Sequence, residues 1–175
     1  MALGQTLTLQ IGTKPNKNLE RLIEAVAGLS CRLDIVGPLS PKHLELLDRH
    51  RVDFDNAVGL SLEEVVSKYQ ESDVVAFAST YEGFGMPIVE ANATETPIVT
   101  SNLLSMPEVG ADAACYVDPF SVESIREGIV KVIEDDSYRI QLVEKGKVNR
   151  LRFSPEAIAA QYASVYERVV SGKRR

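Results

Sequence analysis

Short apolar runs and helical periods alternate along this chain almost without interruption as far as Val117. A helix placed between two strands makes a crossover. Crossovers join parallel strands and leave helices on both faces of the sheet. Leu7–Ile11 reads as the first strand and stops at Gly12. Leu19, Leu22, Ile23, Val26 and Leu29 recur at a helical period and predict a helix over Asn18–Leu29. Cys31–Val36 is a second strand, ended by Gly37-Pro38, and Ser40-Pro41 caps a helix running to about His50. Val52–Val58 is a third strand, and Ser61 with Glu64 forms a capping box for a helix to about Glu71. Val74–Ala78 is apolar throughout, as a strand buried on both faces must be. A glycine-rich loop follows, then a helix from Pro87 to about Ala93, then strands at Pro97–Thr100 and Ala114–Val117. Beyond Ser121, a plausible N-cap, the pattern is only helical: to about Glu134, over Tyr138–Arg152, and from Ser154-Pro155 to Val170. The expected architecture is a six-stranded parallel α/β sheet with these last three helices packed on its flanks. The basic end Lys173-Arg174-Arg175 is expected to fray.

With 175 residues and 19.2 kDa the chain fits one domain, 1–175, large enough to bury a core. A net charge of −6 gives it no electrostatic footprint for sequence-blind nucleic-acid binding, although 19 Lys and Arg leave room for a local anion site. Cys31 and Cys115, far apart in sequence, read as packed thiols in a reducing compartment rather than as a disulfide framework. The start, MALGQTLTLQ, lacks the basic and long apolar regions of a signal peptide, and no apolar run spans a membrane, so a cytoplasmic location is expected.

A parallel sheet binds ligands beyond the carboxyl ends of its strands. That rim receives the loops Gly12–Asn18, Gly37–Ser40, Gly59–Ser61 and Thr80–Pro87. In the last, Gly83 and Gly85 let backbone approach a ligand closely, and the helix start offers amides of Ile88, Val89 and Glu90 to a phosphate or sugar hydroxyl. For a Gly-x-Gly alone, a tight turn whose glycines only serve packing is the favoured reading. Two carboxylates, Glu82 and Glu90, flank seven intervening residues, and the chain doubles back so that both can face one cleft. A carboxylate accepts from two vicinal hydroxyls, as on a ribose or hexose. Glu90 is equally explained by the positive end of its helix.

The run Glu82-Gly-Phe-Gly-Met-Pro-Ile-Val-Glu90-Ala-Asn-Ala, with Pro97-Ile-Val-Thr-Ser-Asn and Met106-Pro-Glu-Val-Gly, strongly resembles the glycosyltransferase group 1 family, retaining enzymes of GT-B fold. The resemblance extends over Ile11-Gly-Thr, Lys17-Asn-Leu, Gly59 and Ala111-Asp-Ala-Ala…Val117-Asp-Pro, in the family's order. It implies a Rossmann-like domain, the C-terminal half of a GT-B fold, which binds a nucleoside diphosphate sugar. The N-terminal acceptor-binding domain is then absent, so the isolated chain is expected to be inactive. It further implies that Glu90 binds ribose hydroxyls and that Glu82 holds the donor sugar or lies near the reacting centre. Gly83, Phe84, Gly85 and Met86 would present backbone amides, and Lys17 would bind the diphosphate. The nucleobase would lie against Val58, Gly59, Leu60 and Ser61. The family's nearby arginine is replaced by Thr13 or Asn16, so either anion binding is weaker or Lys14 stands in as a point charge.

No HExxH spacing is present, and no metal or other cofactor is expected. His43 and His50 read as a solvated helix face, and Asp34 receives no role. Lys145, Lys147, Arg150 and Arg152 read as a solvated basic face; membrane contact would come only through them or through the absent domain. A non-catalytic nucleotide- or sugar-binding module that regulates a partner is the alternative reading. An epimerase or a nicotinamide-dependent enzyme would need Gly-x-Gly-x-x-Gly after the first strand, where the chain has Gly12-Thr-Lys-Pro-Asn-Lys.

Overall fold

Six parallel strands form one sheet in the order β3-β2-β1-β4-β5-β6. They are β1 (Thr6–Ile11), β2 (Cys31–Val36), β3 (Asp53–Ala57), β4 (Val74–Phe77), β5 (Ile98–Ser101) and β6 (Cys115–Val117). The computed structural model describes residues 5–172, so the first four residues of the amino-terminal stretch weighed as a leader, and the basic end Lys173-Arg174-Arg175, lie outside the described residues. All five strand pairings are parallel. The centre is the β1–β4 pair, with Thr8 opposite Val74 and Leu9 opposite Val75. Every residue of β4 is buried, as its unbroken apolar run requires. At the edge, β3 half-buries only Phe54 and Ala57 and exposes its other residues.

Two apolar layers sandwich the sheet. On one face, α1 (Leu19–Val26), α2 (Pro41–Arg49) and α6 (Val122–Glu134) cover Leu33, Ile35, Val74, Ala76, Val99 and Val117. On the other, α3 (Leu62–Glu71), α4 (Met86–Ala93) and α5 (Met106–Gly110) cover Leu9, Val75, Phe77 and Ile98. Side chains alternate faces along a strand, so consecutive residues Val74, Val75, Ala76 and Phe77 feed both layers in turn. The helix α7 (Asp136–Asn149) packs against α4 and α6, and a 3-10 turn at Arg150–Phe153 follows it.

Several boundaries differ from the sequence reading. The first helix ends at Val26, because Ala27 is extended and Gly28 takes φ +74°. α5 is a helix that the pattern did not reveal; its five residues are too few to show a period. His43 is buried, not solvated: its Nδ1 accepts the Ser40 amide while Ser40 Oγ accepts the His43 amide, a capping box closed by a histidine. The largest difference is α8 (Pro155–Val170), which buries none of its residues. Both faces of the sheet are already covered, so its apolar residues Tyr162, Val165, Tyr166 and Val169 stay exposed. The basic run is not a free face either. Lys147 pairs with Glu95 and Glu144, Arg150 donates to the Ala93 carbonyl, and Arg152 donates to the Glu108 carbonyl, so three of its members tie the end of α7 to α4 and α5. Cys31 and Cys115 are free and buried, and burial pushes both thiols up from their ordinary pKa.

Candidate functional site

The loops after β1 and β4 meet because those strands are neighbours. Gly12 ends β1 at φ +84°, and a Cβ built there would lie 3.2 Å from carbons of the Lys17 side chain. A residue without a side chain therefore lets Lys17 fold back across the strand end. A 3-10 turn at Pro15–Lys17 and left-handed Asn18 then start α1. Buried Asn18 fixes this turn, donating from Nδ2 to the carbonyls of Ala78 and Pro119. The backbones are stitched again by the Thr80 amide, which donates to the Asn16 carbonyl at 2.9 Å.

On that frame Lys17 Nζ donates to Glu82 Oε1 at 2.7 Å, with side chains only 18% and 14% exposed. Asn16 Nδ2 donates to the same oxygen at 3.2 Å and to the Tyr81 carbonyl at 2.9 Å. The ring of buried Phe77 lies 4.9 Å from the ammonium, a cation–π contact. Ser105 Oγ donates to the Glu82 carbonyl, which anchors the loop from the β5 side.

Gly83 and Phe84 are exposed, and the Phe84 ring stacks edge-on against Phe153 at 5.5 Å. Gly85 takes φ +99° as the N-cap of α4, a conformation that favours glycine. The helix begins at Met86, one residue before the expected Pro87. The Ile88 amide donates to the Gly85 carbonyl at 3.0 Å and is therefore not among the open donors. Val89 and Glu90 are half-buried beyond it.

Glu90 is the fifth residue of α4, and the helix has no acid in its first turn. A helix dipole acts mainly within that turn, so it does not account for Glu90. A specific partner does. Tyr69, 1% exposed on α3, donates its hydroxyl to Glu90 Oε2 at 2.6 Å. Burial, and then the carboxylate's charge, push the Tyr69 hydroxyl far above the ordinary tyrosine range. The donor therefore keeps its proton at any physiological pH. α3 is itself fixed to the sheet by Lys68 Nζ, 2.7 Å from Oδ2 of buried Asp34 on β2. Hydrogen bonding to Asp34 raises the Lys68 pKa. Asp34, given no role from the sequence, thus anchors the helix that carries Tyr69.

The Val58–Ser61 loop leads into the same helix. Val58 and Gly59 are exposed, Leu60 is half-buried, and Ser61 forms the expected capping box with Glu64. Lys14 is exposed at the start of the 3-10 turn. The structure thus brings Asn16, Lys17 and Glu82 together and gives Glu90 a buried partner. Asn16 and Tyr69 were missed from the sequence. Tyr69 carried a usable signal: it follows Val65 at helical spacing on an inward face, and a buried tyrosine needs a partner for its hydroxyl.

Residues 4–149 match the family model described as glycosyl transferases group 1. The chain is 35% identical over 105 residues to the O-antigen chain mannosyltransferase B of Escherichia coli, covering 60% of this chain and 28% of that protein. It is 30% identical over 169 residues to the MMP alpha-(1->4)-mannosyltransferase of Mycolicibacterium hassiacum, covering 90% of this chain and 41% of that protein. The fold matches that of Anabaena HepE, solved in complex with UDP and glucose, with TM-score 0.83 and 19% identity over 94% of this chain and 48% of that one. The chain therefore spans less than half the length of each of these proteins.

Proposed function

This chain belongs to the group 1 glycosyl transferases, and we propose that it supplies the part of such an enzyme that holds a nucleoside diphosphate sugar. The observation that carries the reading is the convergence of Lys17, Asn16 and Glu82 at the β1–β4 crevice, one loop away from a carboxylate held by a buried tyrosine. In this reading the base lies along Val58, Gly59, Leu60 and Ser61. Glu90 accepts from the two ribose hydroxyls through the oxygen that Tyr69 leaves open. Lys17, with Lys14 as a second cation, faces the diphosphate. Backbone amides of Gly83, Phe84, Gly85 and Met86 face the phosphate and the sugar, and Glu82 takes the sugar hydroxyls.

Transfer breaks the bond between the anomeric carbon and the diphosphate oxygen, and the electron pair leaves on the diphosphate. Fixed donors aimed at that oxygen stabilise the developing charge best where water is excluded. We assign this role to Lys17 and the loop amides, and assign a retaining outcome by the family resemblance. This route asks for no metal. Acceptor recognition lies outside this chain in the proposal. A cleft with one wall leaves the donor wet, so the isolated chain binds nucleoside diphosphate weakly and transfers no sugar. The UDP and glucose bound by the similarly folded HepE support a donor of this class.

Calorimetric titration with nucleoside diphosphates, their sugars and bare nucleosides tests the reading. Lys17→Ala is expected to weaken diphosphate binding far more than nucleoside binding, and salt to weaken the wild type in the same way. An equal fall for both ligands would place Lys17 in the fold rather than in the site.

A further inference from the structure

The cation that folds into this crevice, Lys17, is paired with a carboxylate. Lys17 Nζ lies 2.7 Å from Glu82 Oε1, and Asn16 Nδ2 donates to the same oxygen at 3.2 Å. Both charged side chains are largely shielded from water. A diphosphate that draws on Lys17 must therefore compete with a carboxylate, and the carboxylate must find another partner.

We propose that the Lys17–Glu82 pair makes the site discriminate between a sugar-bearing nucleoside diphosphate and the sugar-free diphosphate left after transfer. This rests on the function proposed above. A sugar-free diphosphate presents only acceptor oxygens near Glu82 and carries an extra ionisable oxygen on its terminal phosphate. It takes the lysine and returns nothing to the carboxylate but like charge. A sugar-bearing diphosphate masks that oxygen as an ester and offers hydroxyl donors, which replace the ammonium on Glu82. An unpaired, partly buried carboxylate is costly, whereas a re-paired one is not. Glu82 is thus a specificity-determining residue as well as a sugar contact. Asn16 is a positioning residue: it clamps Glu82 to the Tyr81 carbonyl so that the carboxylate cannot swing out to water when Lys17 leaves. The spent diphosphate is then held less tightly than the donor.

The test is calorimetry of Glu82→Gln, which keeps the size and removes the charge, against inorganic pyrophosphate, nucleoside diphosphates and nucleoside diphosphate sugars. Thermal melting checks that the variant is folded. Glu82→Gln is expected to bind pyrophosphate and sugar-free nucleoside diphosphate about fivefold tighter than wild type, while its preference for the sugar-bearing form collapses. The gain should disappear in a Lys17→Ala background. If wild type binds nucleoside diphosphate and Glu82→Gln binds it no tighter, the discrimination proposal is wrong and the binding reading stands. A gain that persists without Lys17 would equally overturn it, since Glu82 would then act by general repulsion. If neither protein binds any diphosphate, the binding reading itself fails and the pair is an ion pair of the fold.

Discussion

Tyr69→Phe deletes one oxygen and nothing else. The ring stays in the layer formed with Leu9, Phe77 and Ile88, so no cavity opens. What is lost is the 2.6 Å hydrogen bond to Glu90 Oε2. A hydrogen bond to a charged group contributes about 1.5–3 kcal/mol when the partner is left dry. Glu90 is only half-buried, so water recovers part of its solvation, and the net loss of folding stability should be about 1 kcal/mol. For a domain of this size that lowers the melting temperature by roughly 2–4 °C. The functional effect should be separate. A freed Glu90 carboxylate must be re-ordered when ribose binds, which should raise the Kd for nucleoside diphosphate by about three- to tenfold. Urea unfolding and calorimetry of Tyr69→Phe, Glu90→Gln and the double variant form a cycle that reads both. In binding, the double variant should be no worse than Glu90→Gln alone, because Tyr69 acts only through Glu90. Reduced stability with unchanged nucleotide affinity in Tyr69→Phe would refute the positioning argument and leave Tyr69 as a residue of the core.

Two further outcomes test the packing and the titration behaviour. Gly128→Ala within α6 would ordinarily gain about 1 kcal/mol of helix propensity. Here the added Cβ would collide with Val117 Cγ1 and lie 3.2 Å from Val99 Cγ1, so overpacking should win and chemical denaturation should show a net loss of about 1–2 kcal/mol. Stability should also fall as pH rises above about 10, the pKa of an unfolded tyrosine. Burial raises the hydroxyls of Tyr69, Tyr138 and Tyr116, the last to about 12, so they stay neutral in the fold at a pH where the unfolded chain ionises. Their contribution is present below that window and lost through it. A urea midpoint that stays flat from pH 9 to 11 would contradict the buried hydroxyls.

Sequence pattern reached the sheet because burial on both faces leaves a mark: Val74–Phe77 could hardly be anything but a central strand. It reached Lys17 and Glu82 separately, through a loop after a strand and a glycine-rich turn. It did not reach their contact, which depends on β1 lying beside β4, a fact of strand order rather than of either segment. Asp34 received no role from the sequence, and only its partner Lys68 on another element explains its burial. The apolar period of α8 was legible, but a period reports which residues share a face and not whether that face meets anything. His43 went unread because capping boxes ordinarily close with an acid or amide, and a histidine filled the role.

The crevice at the sheet centre also has a place in folding order. Lys17 and Glu82 stand 65 residues apart, and Asn18 reaches a carbonyl 60 residues away. β1 reaches β2 through the single crossover that holds α1, whereas three crossovers, through α1, α2 and α3, separate β1 from β4. Closing the longer loop costs more entropy and slows the contacts that depend on it. As the chain leaves a ribosome, the lysine emerges long before its carboxylate exists. No partly folded form that lacks the β1–β4 pairing holds both halves of the crevice. Any anion that fits it binds the completed sheet alone and so stabilises that state against every earlier one, in proportion to its concentration over its Kd.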